Sequence, residues 1–169
     1  MTKPYNIPVH FENDINAALF GYSQNHHIRD NDCIAGLYVL RQHPCGSGIC
    51  IGNKIYRGRH GLAGELKYLP IGIDWTILPL SEDEQLCMIG KLLISLLCTY
   101  DLSEVLIYCD QFEEAFLKDC LKQHMEASGL PFLPELIIKS DIQNDAAVGI
   151  RTLALDICNT ILWNEGERI

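Results

Sequence analysis

The stretch GSGICIGNKIYRGRHGLAGELKY, Gly46 to Tyr68, sets six glycines around one carboxylate, Glu65. A chain uses glycine where its backbone takes positive φ or passes close to a ligand, so this density between apolar runs marks backbone shaped around something. Gly52-Asn53 separates Ile49-Cys50-Ile51 from Lys54-Ile55-Tyr56. Two turn formers between two β-prone triplets predict a hairpin, in the reverse order of the strongest hairpin pair. The segment that follows, Arg57 to Glu65, reads as a loop that presents Glu65.

Outward from this hairpin the chain changes period. Cys33 to Leu40 is an apolar run that reads as a buried strand, and with Gly48–Ile51 and Lys54–Tyr56 it gives three strands in antiparallel order. Upstream, Tyr5 to Phe11 reads as a short strand kept near an edge or at a strand start by Pro4 and Pro8. An edge strand needs a neighbour, from this chain or another. Asn13-Asp14 precedes Ile15–Tyr22, whose spacing predicts a helix with Asn13 or Asp14 as N-cap. Ser23 to Asp32 is polar, and His26-His27 within it reads as solvated loop.

Downstream, Tyr68 to Leu80 holds Pro70, Gly72 and Pro79 and reads as an irregular connection. Ser81 and Glu84 form a capping box that opens a long helix to about Tyr100. Its run Leu92 to Leu97 suits a helix buried between layers or at a subunit contact. Val105–Cys109 then reads as a strand, Gln111–Ser128 as an amphipathic helix ended by Gly129, Leu136–Lys139 as a strand and Asp145–Trp163 as a final helix. That alternation argues for parallel pairing in the second half and for an α/β class with a mixed sheet.

A chain of 169 residues with 48% hydrophobic content suits one folded domain or two small lobes. A net charge of -9 leaves no broad basic face for phosphates, so the chain alone is not expected to bind nucleic acid. Lys54, Arg57, Arg59 and His60 make a local basic cluster, either a solvated turn or an anion contact. The eight cysteines are scattered, mostly inside apolar runs, and read as reduced core residues. No secretory segment and no apolar run near the ~20 residues of a membrane span is present, which points to a reducing cytoplasm and no membrane partner. Cys45 and Cys50 have no second ligand pair at zinc spacing.

Two segments carry a family resemblance. Gly52 to Glu65 is similar to the pattern G-k-l-y-r-G-x-x-G-x-A-G-E, and Val9-His10-Phe11-Glu12-Asn13-Asp14-Ile15-Asn16-Ala17-Ala18 to v-x-v-E-N-D-x-N-A-A. In that order they resemble the ROK (Repressor, ORF, Kinase) family of bacterial sugar kinases and sugar-responsive transcription factors. The resemblance runs from about Ile7 to Leu162 and corresponds to the second half of a family member. It implies the ribonuclease-H-like lobe of the actin-like ATPase fold, with residues 1–22 as a remnant strand and helix of the first lobe and 23–169 as the second. It further implies that Asn13, Asp14 and Glu65 contact sugar hydroxyls, with Asp14 as general base if the protein is a kinase. Amides and carboxylates suit that task because polyols need paired acceptors and donors. For Asp14 the alternative role is the N-cap alone.

The pattern also departs from the family. The phosphate-binding turn G-t-G-i-G aligns with Gln42-His43-Pro44-Cys45-Gly46, where proline removes an amide donor and two side chains crowd the approach. A later glycine pair that packs on the nucleotide aligns with Cys109-Asp110, which adds bulk and negative charge. The zinc motif that begins G-E-x-G-H becomes Gly64-Glu65-Leu66-Lys67-Tyr68, with no cysteine before Cys87, so no metal is expected. The family's N-terminal half, with its first-phosphate residues or helix-turn-helix, has no counterpart here, so this chain alone is not expected to complete a nucleotide cleft.

These features predict a non-catalytic sugar-sensing portion of a ROK-type regulator, homodimeric, with a small sugar or sugar phosphate as partner and no cofactor. The alternatives are a fragment of a divergent sugar kinase, with ATP and magnesium as cofactors, and an interaction module without ligand.

Overall fold

A computed structural model describes residues 9–166, with side chains described through residue 159. The elements run α1 (Asp14–Asn25), β1 (Cys33–Tyr38), β2 (Gly46–Ile51), β3 (Lys54–Ile55), a single 3₁₀ turn (Leu66–Tyr68), α2 (Glu82–Tyr100), β4 (Glu104–Tyr108), α3 (Glu114–Ala127), β5 (Glu135–Lys139) and α4 (Gln143–Gly166). Five strands form one sheet in the order β3-β2-β1-β4-β5. The β3, β2 and β1 strands pair antiparallel, while β4 joins β1, and β5 joins β4, in parallel. The mixed sheet inferred from the alternation of periods is therefore present.

Both faces of the sheet are covered, which is why β1 is an unbroken apolar run rather than an alternating one. On one face Ala35, Leu37, Val105 and Ile107 meet Ile89, Leu92 and Leu93 of α2 and Leu117 and Leu121 of α3. On the other, Ile34, Cys50, Leu106 and Tyr108 meet Ile15, Leu19 and Tyr22 of α1. Successive strand residues point to opposite faces, so each strand feeds both cores.

The hairpin forms as its residues require. Gly52 and Asn53 both have positive φ, 49° and 61°, the pairing of two left-handed residues whose twist matches the flanking strands. The capping box also forms, with the Ser81 hydroxyl accepting from the Glu84 amide and the Glu84 carboxylate accepting from the Ser81 amide.

Other expectations need correction. The strand placed at Tyr5–Phe11 falls largely outside the described residues, and Val9–Phe11 has no strand pairing. Of the two places open to the apolar run of α2, it takes burial between layers and not a subunit contact, with Leu92, Leu93 and Leu96 in this chain's own core. β2 begins two residues earlier than the turn logic gave, at Gly46, with Gly46 paired to Tyr38 and Gly48 to Gly36. α3 starts at Glu114 because the Glu113 carboxylate accepts from the Phe116 amide at 2.8 Å and caps it there.

Candidate functional site

The start of α1 and the glycine-rich loop meet over the first residues of β2. Asn13 is the N-cap of α1, its Oδ1 accepting from the Ile15 amide at 2.9 Å. Asp14 Oδ1 accepts from the same amide at 2.8 Å, and the residue is exposed. One turn on, the Asn16 side chain lies over Gly48, where a Cβ would stand 2.6 Å from Asn16 Oδ1. Asn16 Nδ2 donates to Glu12 Oε1 at 3.1 Å, and the other Glu12 oxygen is paired with the Arg57 guanidinium. Arg57 thereby ties the loop after β3 to the segment before α1.

The far end of that loop is tied to β2. The Ser47 hydroxyl donates to the Gly64 carbonyl, which fixes the turn that carries Glu65. Glu65 is exposed and pairs with Lys67 at 3.4 Å, while the Lys67 ammonium sits 5.1 Å from the Tyr68 ring centre. Gly48 lies beneath Asn16 of α1, and Ser47 holds the turn before Glu65, so the first residues of β2 touch both segments of the predicted sugar site. Asn13 and Asp14 stand together at the start of α1, and Glu65 stands on the loop docked at Ser47.

A second feature lies at the C-terminal ends of β1 and β4. A crevice of about 500 Å³ is lined by Arg41, Gln42 and His43 after β1, by Glu82 and Gln85 from the start of α2, and by Asp110 and its two successors after β4. This is where a parallel α/β sheet generally offers a ligand site. The first turn of α2 is acidic, Glu82-Asp83-Glu84, so its amide end faces carboxylates of its own chain. Tyr38, at the end of β1, has its pKa raised by burial first and then by Asp14, Asp110 and Asp141, which places three carboxylates within electrostatic reach of one phenol.

The Cys45 thiol is pushed up to about 12 by burial, with Cys109 a secondary influence, so neither a nucleophilic thiolate nor a metal-ligating one is favoured there at neutral pH. Among the described residues no group of three or more His, Cys, Asp or Glu side chains is placed to hold a metal. Leu66, Lys67 and Tyr68 supply no zinc ligand beside Glu65, so the residues present do not fit the family's zinc.

Asn13, Asp14 and Glu65 are the residues expected from the motif, and Asn16, Tyr38 and Gln85 are neighbours that the sequence reading did not single out. Asn16 stands inside the quoted E-N-D-x-N-A-A segment, and its spacing one turn from Glu12 was the available signal. Gln85 is a polar residue on the buried face of α2, one turn before Ile89, an anomaly readable from helical period alone.

The strand order β3-β2-β1-β4-β5, with the first three strands antiparallel and the last two joined in parallel, is that of the ribonuclease-H-like lobe of the actin-like ATPase fold. A ROK family profile matches residues 1–94, more than half of the chain, and the chain belongs to the ROK family. Over 72 residues, 43% of this chain, it is 36% identical to the xylose repressor of Bacillus subtilis (strain 168). Three solved structures share the fold. They are a ROK family protein from Streptococcus pneumoniae TIGR4 in complex with sucrose (TM-score 0.61, 15% identity, 86% of this chain and 66% of that one), the ROK hexokinase from Thermus thermophilus (0.62, 17%, 90% and 67%), and a ROK family glucokinase from Streptomyces griseus in complex with glucose and AMPPNP (0.62, 17%, 87% and 68%). This chain spans about two thirds of the length of those structures and 18% of the xylose repressor.

Proposed function

We propose that this chain is the sugar-sensing part of a ROK-type transcriptional regulator that lacks phosphoryl-transfer activity. The observation that carries the reading is a contrast within one sheet. The polar groups suited to sugar hydroxyls stand at Asn13, Asp14 and Glu65, while the crevice where a nucleotide phosphate would approach is walled by Glu82 and Asp110. Carboxylates facing a phosphate raise its binding free energy, and Pro44 takes one amide out of the turn that would cradle it. The relationship to a xylose repressor supports a regulator, and sucrose in one structural relative supports a sugar as ligand. The reading includes a cytoplasmic location, self-association and no nucleic-acid contact by this chain itself.

The kinase reading has its own support, since a hexokinase and a glucokinase share the fold. In that reading Asp14 would take the proton of the attacking hydroxyl. Isothermal titration separates the two. The regulator reading expects heat with xylose or glucose that Asp14→Ala abolishes, and no heat with magnesium ATP. Sugar-dependent ATP hydrolysis by the chain, abolished by the same substitution, would overturn it.

A further inference from the structure

We infer that the crevice at the C-terminal ends of β1 and β4 binds a small organic cation, an amine or guanidine, in place of a phosphate. The first observation is a pair of buried acceptors. Gln85 is 4% exposed, and its Nε2 donates to the Leu80 carbonyl at 3.0 Å. That bond fixes which way the amide faces and leaves Oε1 as an acceptor without a partner. Gln111 Oε1 is in the same condition. Of three such buried side-chain acceptors among the described residues, two belong to residues lining this one cavity, the third being Asn53 Oδ1 in the β2–β3 turn. A buried acceptor left unmade is destabilising, and a ligand with several N–H donors supplies what these two lack.

Charge gives the second, independent observation. The carboxylates of Glu82 and Asp110 both line the cavity, from two different elements. The amides at the start of α2 would otherwise attract an anion, but the Glu84 carboxylate already accepts from the Ser81 amide at 2.9 Å and from the Ser81 hydroxyl at 2.7 Å. Arg41 and His43 on the opposite lip are exposed, and the Arg41 guanidinium would oppose an incoming cation. A cavity of about 500 Å³ admits a ligand of small-molecule size rather than a single ion.

The inference stands on the crevice and not on the sugar reading, so the two can fail separately. Agmatine, which carries a guanidine and a primary amine, is the probe, with magnesium ADP as its anionic counterpart. Titration calorimetry of the intact chain is expected to show saturable one-to-one binding of agmatine. That binding should weaken at least tenfold in Asp110→Asn and in Glu82→Gln, and tighten in Arg41→Ala. All three positions are exposed, so these variants retain the fold. Sugar titrations on the same proteins should be unchanged. Absence of saturable agmatine binding, equal affinity in Asp110→Asn, or tighter binding of magnesium ADP than of agmatine would each overturn the assignment.

Discussion

Gly21 of α1 and Gly149 of α4 meet where the two helices touch backbone to backbone. A Cβ on Gly21 would stand 1.9 Å from the Asp145 carbonyl oxygen, and one on Gly149 would stand 1.8 Å from that of Ala17. Neither obstacle is a side chain that can rotate away. Alanine at either place would gain up to about 1 kcal/mol in helix propensity, but overpacking of a tight contact costs about 1–3 kcal/mol, and an overlap with main chain belongs at the upper end. Gly149→Ala is therefore expected to lower unfolding stability by about 2 kcal/mol in denaturant titration. An unchanged or raised midpoint would show that the helices can part freely.

That crossing illustrates what the sequence made legible and what it hid. Period and turn chemistry located the Gly52-Asn53 hairpin, the Ser81–Glu84 capping box and the helices and strands that follow, because each is decided by residues near one another in sequence. The Gly21–Gly149 contact joins residues 128 positions apart, and nothing local distinguishes a packing glycine from a tolerated one. The same holds for the site. Asn13, Asp14 and Glu65 were readable as a motif, whereas the tie between Ser47 and Gly64 that positions Glu65 depends on how a loop folds back on a strand. Strand Tyr5–Phe11 rested on β-prone residues and two prolines, and Val9–Phe11 has no strand pairing among the described residues.

Asp145 is the hinge pin of the same face. Its Oδ2 accepts from the Tyr108 hydroxyl at 2.8 Å and from the Lys139 ammonium at 2.6 Å, joining α4 to β4 and β5. Removing the carboxylate leaves a buried phenol and a half-buried cation without their acceptor. Hydrogen bonds to charged groups contribute about 1.5–3 kcal/mol, so Asp145→Ala should cost about 2 kcal/mol. Asp145→Asn keeps an acceptor and should cost less. Equal losses for the two variants, measured by thermal unfolding, would show that packing rather than this hub holds the helix.

Alkaline pH should weaken the fold through two tyrosines. Burial first, and then hydrogen bonds to Glu104 and Asp145 respectively, raise the pKa values of Tyr22 and Tyr108 well above the ordinary 10.0. Below that value both folded and unfolded chains keep the phenolic protons, and the groups contribute no pH dependence. Above it the unfolded chain releases them while the folded chain does not, so stability falls as pH rises from about 10 toward the folded values. The denaturant midpoint should decline across that window. In a Tyr22→Phe, Tyr108→Phe double variant the decline should be shallower, and an equally steep decline would assign the effect to other groups.

The capping seen at the α1 N-terminus and the sugar contact proposed for it can be separated by substitution. Asn13 Oδ1 holds the Ile15 amide, and loss of an N-cap costs about 1 kcal/mol. Asn13→Ala should therefore lower stability by that amount, whereas Asn13→Asp keeps the cap and should leave stability unchanged while altering sugar affinity. Asp14→Asn is expected to change stability little, because the residue is exposed, and to weaken sugar binding at least tenfold. Sugar affinity that follows stability across these three variants would reduce both residues to capping.

Self-association is the remaining expectation, and the structure moves its basis. The α2 leucines are enclosed, but Phe11 is 88% exposed, and α4 carries Ile150 at 57% and Leu155 at 58%. A recess of about 530 Å³ separates Phe11 from Ile150, Leu153 and Ile157 of that helix. Clustered exposed apolar side chains mark contact surfaces, and a stable interface of ordinary size covers roughly 800 Å² on each partner. Light scattering at micromolar concentration should thus give twice the chain mass of 19.1 kDa. A Phe11→Asp, Ile150→Glu double variant should return the monomer, since placing a carboxylate on each side of the recess makes its burial unfavourable. A wild-type chain that stays at 19.1 kDa as concentration rises would show that these side chains remain in water or await a different partner.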